Sequence, residues 1–183
     1  APLNEERSLA VIEEVARLAP TKPIRFIVTT HHHWDHVGGL RTYVHDGATV
    51  VTHERNRAYY QEILRARPWL LEPDRFSLHP PEEWSEGYIF ETVNEKYVLA
   101  DDTRRVELHH VTGLAHAAGM LIAYIPGEKL LVHADLYFPT APAPNASVRS
   151  LQRNLQRLCL DVETIVGIHQ APAPMSQFTE FVS

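Results

Sequence analysis

A short apolar segment followed directly by a cluster of histidines is the feature that most constrains how this chain folds. The run "IRFIV", residues 24–28, is apolar without regular alternation, which is typical of a strand covered on both faces by helices. The stretch "TTHHHWDHVGG", residues 29–39, follows at once and holds four histidines and one aspartate within six positions. Open α/β sheets usually bind their ligands at the carboxyl ends of strands. The sequence therefore predicts a functional site where a buried strand ends.

Length and composition indicate a single domain over residues 1–183. A chain of 183 residues can enclose a substantial core, and its contents of 44% hydrophobic and 22% charged residues are ordinary for globular proteins. The net charge of -6 leaves no basic surplus to neutralise phosphates, and no apolar run is long enough to cross a bilayer. We expect a small-molecule substrate, and neither nucleic acid nor a membrane as a partner.

The order of the predicted elements is α, β, α, β, α, two β-hairpins, α, β, α. Asn4 is a suitable cap for the first helix, which carries Leu9, Ile12, Val15, Ala16 and Leu18 on one face. The hairpins turn at Asp101-Asp102 and Pro126-Gly127, and residues 68–86 are predicted to form a loop or insertion. Parallel crossovers combined with hairpins predict an α/β fold with helices outside the sheet.

Alternation along the extended chain divides the histidine cluster into two pairs of candidate metal ligands. His31 and His33 point the same way, while Asp35 and His36 follow in a turn that leads to two glycines. The first pair suits one cation and the second pair suits a neighbouring one. Imidazole and carboxylate are the ligands expected for zinc, iron or manganese.

Three further residues fit the same chemistry, each in a loop or at the end of a predicted strand. They are His116 in "GLAHAAG", Asp135 after "KLLVHA", and His169 after "ETIVGI". With the first four they make seven candidates, five histidines and two aspartates. This is enough for two metal ions.

These residues resemble the pattern of the metallo-β-lactamase-fold hydrolase superfamily. Its H-x-H-x-D-H motif is matched by His31, His33, Asp35 and His36, and its G-x-x-H-[S/T]-x-G setting is matched by the loop around His116. Its bridging aspartate and final histidine are matched, in the family's order, by Asp135 and His169. Ala117 stands where Ser or Thr is common and Ala134 where Gly is common, which leaves the substrate open.

The resemblance implies an αββα-type layered fold and a dinuclear centre. His31, His33 and His116 would hold one metal, Asp35, His36 and His169 the other, with Asp135 bridging them. Two divalent ions, for which zinc is expected and iron or manganese stay open, would generate a bridging hydroxide at neutral pH and polarise the scissile bond. Asp35 would also be catalytic, because it could orient that hydroxide. Thr29, Thr30 and His133 are candidates to support the ligands.

The resemblance also implies a longer protein, because several family strands precede the first helix and none does here. We expect the fold to lack its N-terminal strands. A missing N-terminal segment or another chain would then pair with this one. The chain begins at Ala1 without a leader-like stretch, so the compartment stays open between periplasmic or secreted and cytoplasmic.

The resemblance implies a metal-dependent hydrolase but does not identify its substrate. The bond could be an ester, lactone, thioester, β-lactam or phosphodiester, and fold alone cannot choose among them. The alternatives are a mononuclear iron sulfur dioxygenase on the same scaffold, which uses fewer of these ligands, and a catalytically silent metal-binding fragment.

The other conspicuous side chains receive simpler interpretations. We expect one of His109 and His110 to face solvent, and His45, His53 and His79 to lie on the surface. His32 points away from the ligands. Tyr59, Tyr60 and Trp69 are expected in core or cap packing. Cys159, the single cysteine, is expected to be buried on an apolar helix face.

Overall fold

A computed structural model describes residues 1–65, 73–79 and 90–183. The chain is mixed α/β, as predicted. It forms two compact units, Ala1–Thr92 and Val93–Ser183, and each has an apolar core of its own. The prediction of a single domain over 1–183 stays a prediction.

The first unit contains a small sheet and several short helices. Its strands lie in the order β1-β2-β3: β1 (Phe26–Val28), β2 (Thr49–His53) and β3 (Phe90–Val93). Its helices are α1 (Glu5–Leu18), α2 (Trp34–Val37), α3 (Leu40–His45), α4 (Arg57–Arg65) and α5 (Arg75–Leu78), with a 3-10 turn at Glu54–Asn56. β1 and β2 are parallel, with Ile27 opposite Val50. The chain therefore crosses over from β1 to β2 through α2 and α3, as the element order predicted.

Helix α1 has the predicted cap but not the predicted packing. The Asn4 side chain accepts a hydrogen bond from the backbone N–H of Arg7, which satisfies a free donor of the first turn. Leu9 and Leu18 of the expected apolar face are exposed, whereas Ser8 is buried. Ile12 and Val15 of that face are partly buried and lie at helical spacing from Ser8, and the helix packs on α3, so only part of the expected apolar face is covered.

Strand β1 is not covered on both faces, which corrects the prediction from its apolar run. Phe26 is 38% exposed, and Ile27 and Val28 are only partly buried. Within the described part of the chain β1 is an edge strand with β2 as its neighbour. An edge strand is less completely enclosed than a central one, so apolar composition alone overstated its burial.

A buried arginine on α3 forms hydrogen bonds with α4 and with the segment that contains α5. Arg41, on α3, bonds to both carboxylate oxygens of Asp74, to the Ser77 hydroxyl and to two carbonyls of α4. Its guanidinium also lies 4.5 Å from the centre of the Phe76 ring. Residues 75–78 form a helix inside the range 68–86, which was predicted to be a loop or insertion. The rest of that prediction, including Trp69, falls largely outside the described residues.

The second unit is built on a six-stranded sheet in the order β4-β5-β6-β7-β8-β9. The strands are β4 (Lys96–Ala100), β5 (Arg105–His110), β6 (Leu121–Ile125), β7 (Leu130–His133), β8 (Thr164–Gly167) and β9 (Ala173–Pro174). A 3-10 turn at Pro126–Glu128 joins β6 to β7, and the helices are α6 (Ala146–Leu158) and α7 (Met175–Val182). Both predicted hairpins are confirmed, and β7 runs parallel to β8.

Helix α6 packs on the core of this unit, but the cysteine that follows it does not. Leu151 and Leu155 are buried in a cluster that includes Met120, Ile122 and Leu131. The helix ends at Leu158, and Cys159 adopts a left-handed conformation with φ 51°. That turn carries the side chain off the apolar face, so Cys159 is exposed and the prediction of a buried thiol was wrong.

None of the helices in the described ranges is long and apolar enough to cross a membrane.

Candidate metal centre

The first group of predicted ligands lies just beyond the end of β1. His31 to His33 are extended, and His33 is the N-terminal cap of α2, which carries Asp35 and His36. The rings of His31 and His36 are both almost fully buried, while Asp35 keeps part of its carboxylate exposed. The change from extended chain to a short helix therefore directs four polar side chains toward one small region of the first unit.

Distances within this group are those of side chains able to share a cation. The Nε2 atom of His31 lies 2.9 Å from Nδ1 of His33, and Nε2 of His36 lies 3.2 Å from a carboxylate oxygen of Asp35. The ring centres of His31 and His36 are 4.4 Å apart. Two ligand atoms on a tetrahedral zinc, each about 2.0–2.1 Å from it, are separated by about 3.3 Å, so both pairs fit.

Neighbouring threonines brace the ligand loop. The Thr30 hydroxyl lies 3.2 Å from Nδ1 of His31, the ring nitrogen opposite the one that faces His33. Thr29 donates its hydroxyl to that of Thr52 at 2.9 Å, which links the end of β1 to β2. A bond to the far nitrogen fixes the ring orientation of a metal-binding histidine, so the predicted role of Thr30 agrees with its position.

The two glycines after the histidine cluster, Gly38 and Gly39, allow the residues at the start of α1 to approach the backbone of the ligand loop closely. A Cβ atom at Gly38 would collide with the carbonyl of Leu3, and one at Gly39 would collide with the Ser8 side chain and lie 2.8 Å from the Asn4 carbonyl. The backbone N–H of Leu3 also donates to the carbonyl of Asp35 at 3.1 Å. The start of α1 therefore packs directly on the ligand loop, and only glycine leaves room for it.

The second group of predicted ligands is arranged around Asp135, just past the end of β7. One carboxylate oxygen of Asp135 lies 3.1 Å from Nε2 of His116, and the other lies 3.1 Å from Nε2 of His169. Each oxygen therefore faces a different imidazole. A carboxylate placed in this way can offer one oxygen to each of two cations.

Backbone geometry at Asp135 is unusual for a residue other than glycine. Its φ is 58°, in the left-handed region, where aspartate and asparagine are the more tolerated non-glycine residues. Ala134, where glycine is common in the related family, is fully buried next to it. The turn directs the carboxylate toward His116 and His169.

Buried polar groups lie beside this second group. His133 is 1% exposed, and within the described chain neither of its ring nitrogens has a hydrogen-bond partner. Burial lowers the pKa of His133 to about 4, so the ring is neutral at physiological pH. The amide of Gln170 is also buried and has no hydrogen-bond partner among the residues that the structure describes. It lies over Gly167, the residue opposite His133 in the β7–β8 ladder.

Several histidines outside the seven do not lie where the sequence placed them. His109 and His110 are both buried, because β5 lies between β4 and β6 and α6 packs next to it, with Arg157 bonding the His110 carbonyl. His53 is also buried and accepts a hydrogen bond from the Arg55 backbone N–H. His79 is exposed, as predicted.

The aromatic side chains near the first group divide into one core residue and one surface residue. Tyr60 is fully buried in the core of its unit, whereas Tyr59 is exposed. The ring of His32 meets that of Tyr59 edge to face at 5.5 Å and that of His33 at 5.3 Å, so its predicted direction away from the ligands stays a prediction.

Chemically, the two groups suit borderline divalent cations. They offer imidazole nitrogens and carboxylate oxygens, the donors expected for zinc, iron or manganese. The four short ligand pairs span 2.9 to 3.2 Å. The side chains of each unit therefore fit metal ions in donor type and in spacing, while the complete set of seven remains a prediction.

Likeness to known proteins is found at the level of family and at the level of fold. The family model described as "Metallo-beta-lactamase superfamily" matches residues 3–169, a range that contains all seven candidates. No curated protein matches the sequence.

Solved structures resemble this chain over nearly its whole length. A metallo-beta-lactamase from Pontibacter korlensis is 19% identical with a TM-score of 0.71, over 98% of this chain and 76% of that one. The metallo-beta-lactamase DIM-1 is 14% identical with a TM-score of 0.68, over 99% and 77% of the two chains, and TMB-1 is 12% identical with a TM-score of 0.69, over 99% and 75%. At these identities the likeness establishes the fold.

Proposed function

Because this chain belongs to the metallo-beta-lactamase superfamily, we propose that it is a metal-dependent hydrolase with a dinuclear centre, which we expect to contain zinc. The ligands proposed for one ion are His31, His33 and His116, and those for the other are Asp35, His36 and His169. Asp135 is the proposed bridge. The family match supports this assembly, because one continuous alignment covers both groups of ligands.

The observation that carries the proposal is the setting of Asp135. Its two oxygens each lie 3.1 Å from the Nε2 atom of a different histidine. This spacing leaves each oxygen and its neighbouring imidazole nitrogen close enough together to bind the same cation. Two histidines placed on its two oxygens favour a carboxylate that serves two cations.

Within the proposed centre, the chain's own residues bind the metal ions and orient the ligands and the attacking water. When bound, the ions supply the Lewis acidity that activates water and polarises a carbonyl or phosphoryl group. Thr30 holds the His31 ring by its far nitrogen. Asp35, whose carboxylate is partly exposed, is proposed to accept a proton or hydrogen bond from the attacking water and so align it.

The bond cleaved is proposed to be an ester, lactone, thioester, β-lactam or phosphodiester. Transfer of negative charge to a polarised oxygen is common to all of them, so one centre could serve each. No lysine or arginine follows the ligands directly in "HHHWDHVGG", "GLAHAAG" or "HADLYF". This favours a carbonyl substrate over a phosphodiester.

Metal analysis of ligand variants tests the centre. We expect about two zinc ions per chain in the purified protein, and a loss of at least half of them in His116→Ala or Asp135→Ala, since each removes a direct ligand. His79→Ala is the matched control, because His79 is an exposed histidine outside the set. Unchanged stoichiometry in both ligand variants would refute the assignment.

A substrate panel then tests the reaction class. The zinc-loaded protein is expected to hydrolyse at least one of an ester, a lactone, a thioester, a β-lactam and a phosphodiester, and to lose that activity in Asp35→Asn. One iron per chain with thiol-dependent oxygen uptake would establish a sulfur dioxygenase instead. Two bound zinc ions without any hydrolysis would establish a silent metal-binding protein.

A further inference from the structure

A cavity of about 370 Å³ opens beside His169, entirely within the second unit. Its walls come from the loop after Asp135, with Phe138, Pro139 and Thr140, and from the segment after His169, with Pro172 and Gln177. Cavities of about 300–1,000 Å³ are typical of small-molecule sites. The position of this cavity next to a proposed metal ligand makes it a candidate to hold part of the substrate.

The chemistry of the walls is uncharged. Among the lining residues in the described part of the chain, only His169 has an ionisable side chain. Thr140, Gln170 and Gln177 provide neutral hydroxyl and amide groups, while Phe138 and two prolines provide apolar surface. A charged ligand group placed there would lose hydration without gaining a countercharge, whereas an uncharged one would gain apolar contact.

Phe138 is suited to contact a ligand. Its side chain is 36% exposed even though it is a large aromatic, while the adjacent Leu136 and Tyr137 are buried. Exposed aromatic surface at the rim of a cavity gives apolar contact at little cost in conformational entropy.

We propose that this cavity binds an uncharged, largely apolar acyl group of a carbonyl substrate, with the scissile carbonyl directed toward His169 and the proposed centre. The inference rests on the proposed hydrolase function and narrows it. Substrates that carry a charge at the far end of the acyl group are selected against, and short to medium alkyl or aryl acyl groups are preferred.

A series of p-nitrophenyl esters on the zinc-loaded enzyme tests this preference. We expect kcat/KM for the hexanoate to exceed that for the acetate by about tenfold, because several methylene groups leave water. The monoester of adipate, which has the same chain length but ends in a carboxylate, is expected to return to about the acetate value or below. Equal rates for acetate, hexanoate and adipate would overturn the proposal while leaving the hydrolase function intact.

A charge placed in the cavity wall should change this selectivity. Gln177→Arg is expected to raise kcat/KM for the adipate monoester relative to the hexanoate by about tenfold, because it provides the missing countercharge. Ser176→Arg is the matched control, since Ser176 is exposed on the same helix but does not line the cavity. The same change of selectivity in both variants would contradict the assignment of the cavity.

Binding measured without turnover separates this inference from the proposed function. Titration of ¹⁵N-labelled, zinc-loaded protein with hexanamide should shift the backbone amide signals of Thr140, Ala171 and Gln177 in a saturable manner, and leave that of Val98 in β4 unchanged. Saturable shifts without hydrolysis of any ester, lactone, thioester, β-lactam or phosphodiester would support the cavity and refute the hydrolase. Absence of these shifts would refute the cavity, whatever the activity.

Discussion

Individual residues near the ends of β1 and β7 combine an unusual backbone with demanding side-chain chemistry. Asp135 adopts a left-handed φ of 58° and places each oxygen 3.1 Å from a histidine. His133, two positions earlier, is buried and neutral at physiological pH, with its pKa lowered to about 4 by burial. Strained and desolvated residues of this kind concentrate at functional sites, which agrees with the proposed centre.

Titration of His109, which is not one of the proposed ligands, should make the free energy of unfolding depend on pH. Burial lowers the pKa of His109, opposed by its hydrogen bond to Glu107. The unfolded chain then binds a proton at higher pH than the folded one, so this contribution to stability is complete above about pH 6.5 and is lost as the pH falls toward the lower folded-state pKa. His109→Gln should therefore lose less unfolding free energy than the wild type between about pH 7.5 and about pH 5.5.

Urea denaturation at the two pH values measures that difference. His79→Gln removes an exposed histidine and serves as the control. The burial of His109 would not explain the pH dependence if both variants changed it equally. The same holds if the unfolding free energy of His109→Gln depended on pH as that of the wild type does.

At the scale of elements, the ligand loop, residues 29–39, contacts the start of α1 and strand β2. The backbone of Leu3 bonds to the Asp35 carbonyl, and Thr29 bonds to Thr52. Gly39 allows α1 to approach, because its missing Cβ leaves space for Ser8 and the Asn4 carbonyl. Although α1 buries little of its apolar face, its N-terminal end is a direct support of the site.

This support can be tested by adding one methyl group. Gly39→Ala forces a Cβ against the Asn4 carbonyl at 2.8 Å as well as against the Ser8 side chain, so we expect it to lower the free energy of unfolding by about 1–3 kcal/mol. Gly127→Ala is the matched control, because a Cβ there meets nothing within 4 Å. Urea denaturation of the two variants gives the comparison, and a Gly39→Ala protein as stable as Gly127→Ala would show that α1 can move aside without cost.

At the scale of the whole molecule, the proposed ligands come from both compact units. His31, His33, Asp35 and His36 belong to the first, and His116, Asp135 and His169 belong to the second. If one centre recruits both groups, metal binding is coupled to the folded state of each unit, because the unfolded chain lacks the assembled ligands. Metal would then stabilise residues far from any ligand.

Zinc binding is therefore expected to slow hydrogen exchange in both units. At a free concentration about 100 times its Kd, zinc should add about 2.7 kcal/mol to the free energy of unfolding. The backbone amides of β2 and of β6, one strand from each unit, should both exchange more slowly than in the chelated protein.

A variant shows whether this protection depends on shared ligands. His116→Ala, altered in the second unit, is expected to lose the zinc-dependent protection of β2 in the first. His79→Ala should retain the full effect. Zinc protection confined to one unit would show that the two groups of ligands act separately.

The amino-acid sequence by itself determined most of the element order, although not β3, α5 or β9, and it determined both hairpins and the candidate ligands. These depend on local chemistry: alternation, turn residues and metal-binding side chains in the spacing of a known family. It did not determine burial. His53, His109 and His110 are enclosed by elements distant in sequence, while Cys159 leaves its helix face through a left-handed turn. The uncharged cavity beside His169 likewise exists only after two loops meet. A local backbone turn decided the exposure of Cys159, whereas tertiary packing decided the burial of the histidines and the cavity, since burial depends on what packs against a side chain rather than on the side chain alone.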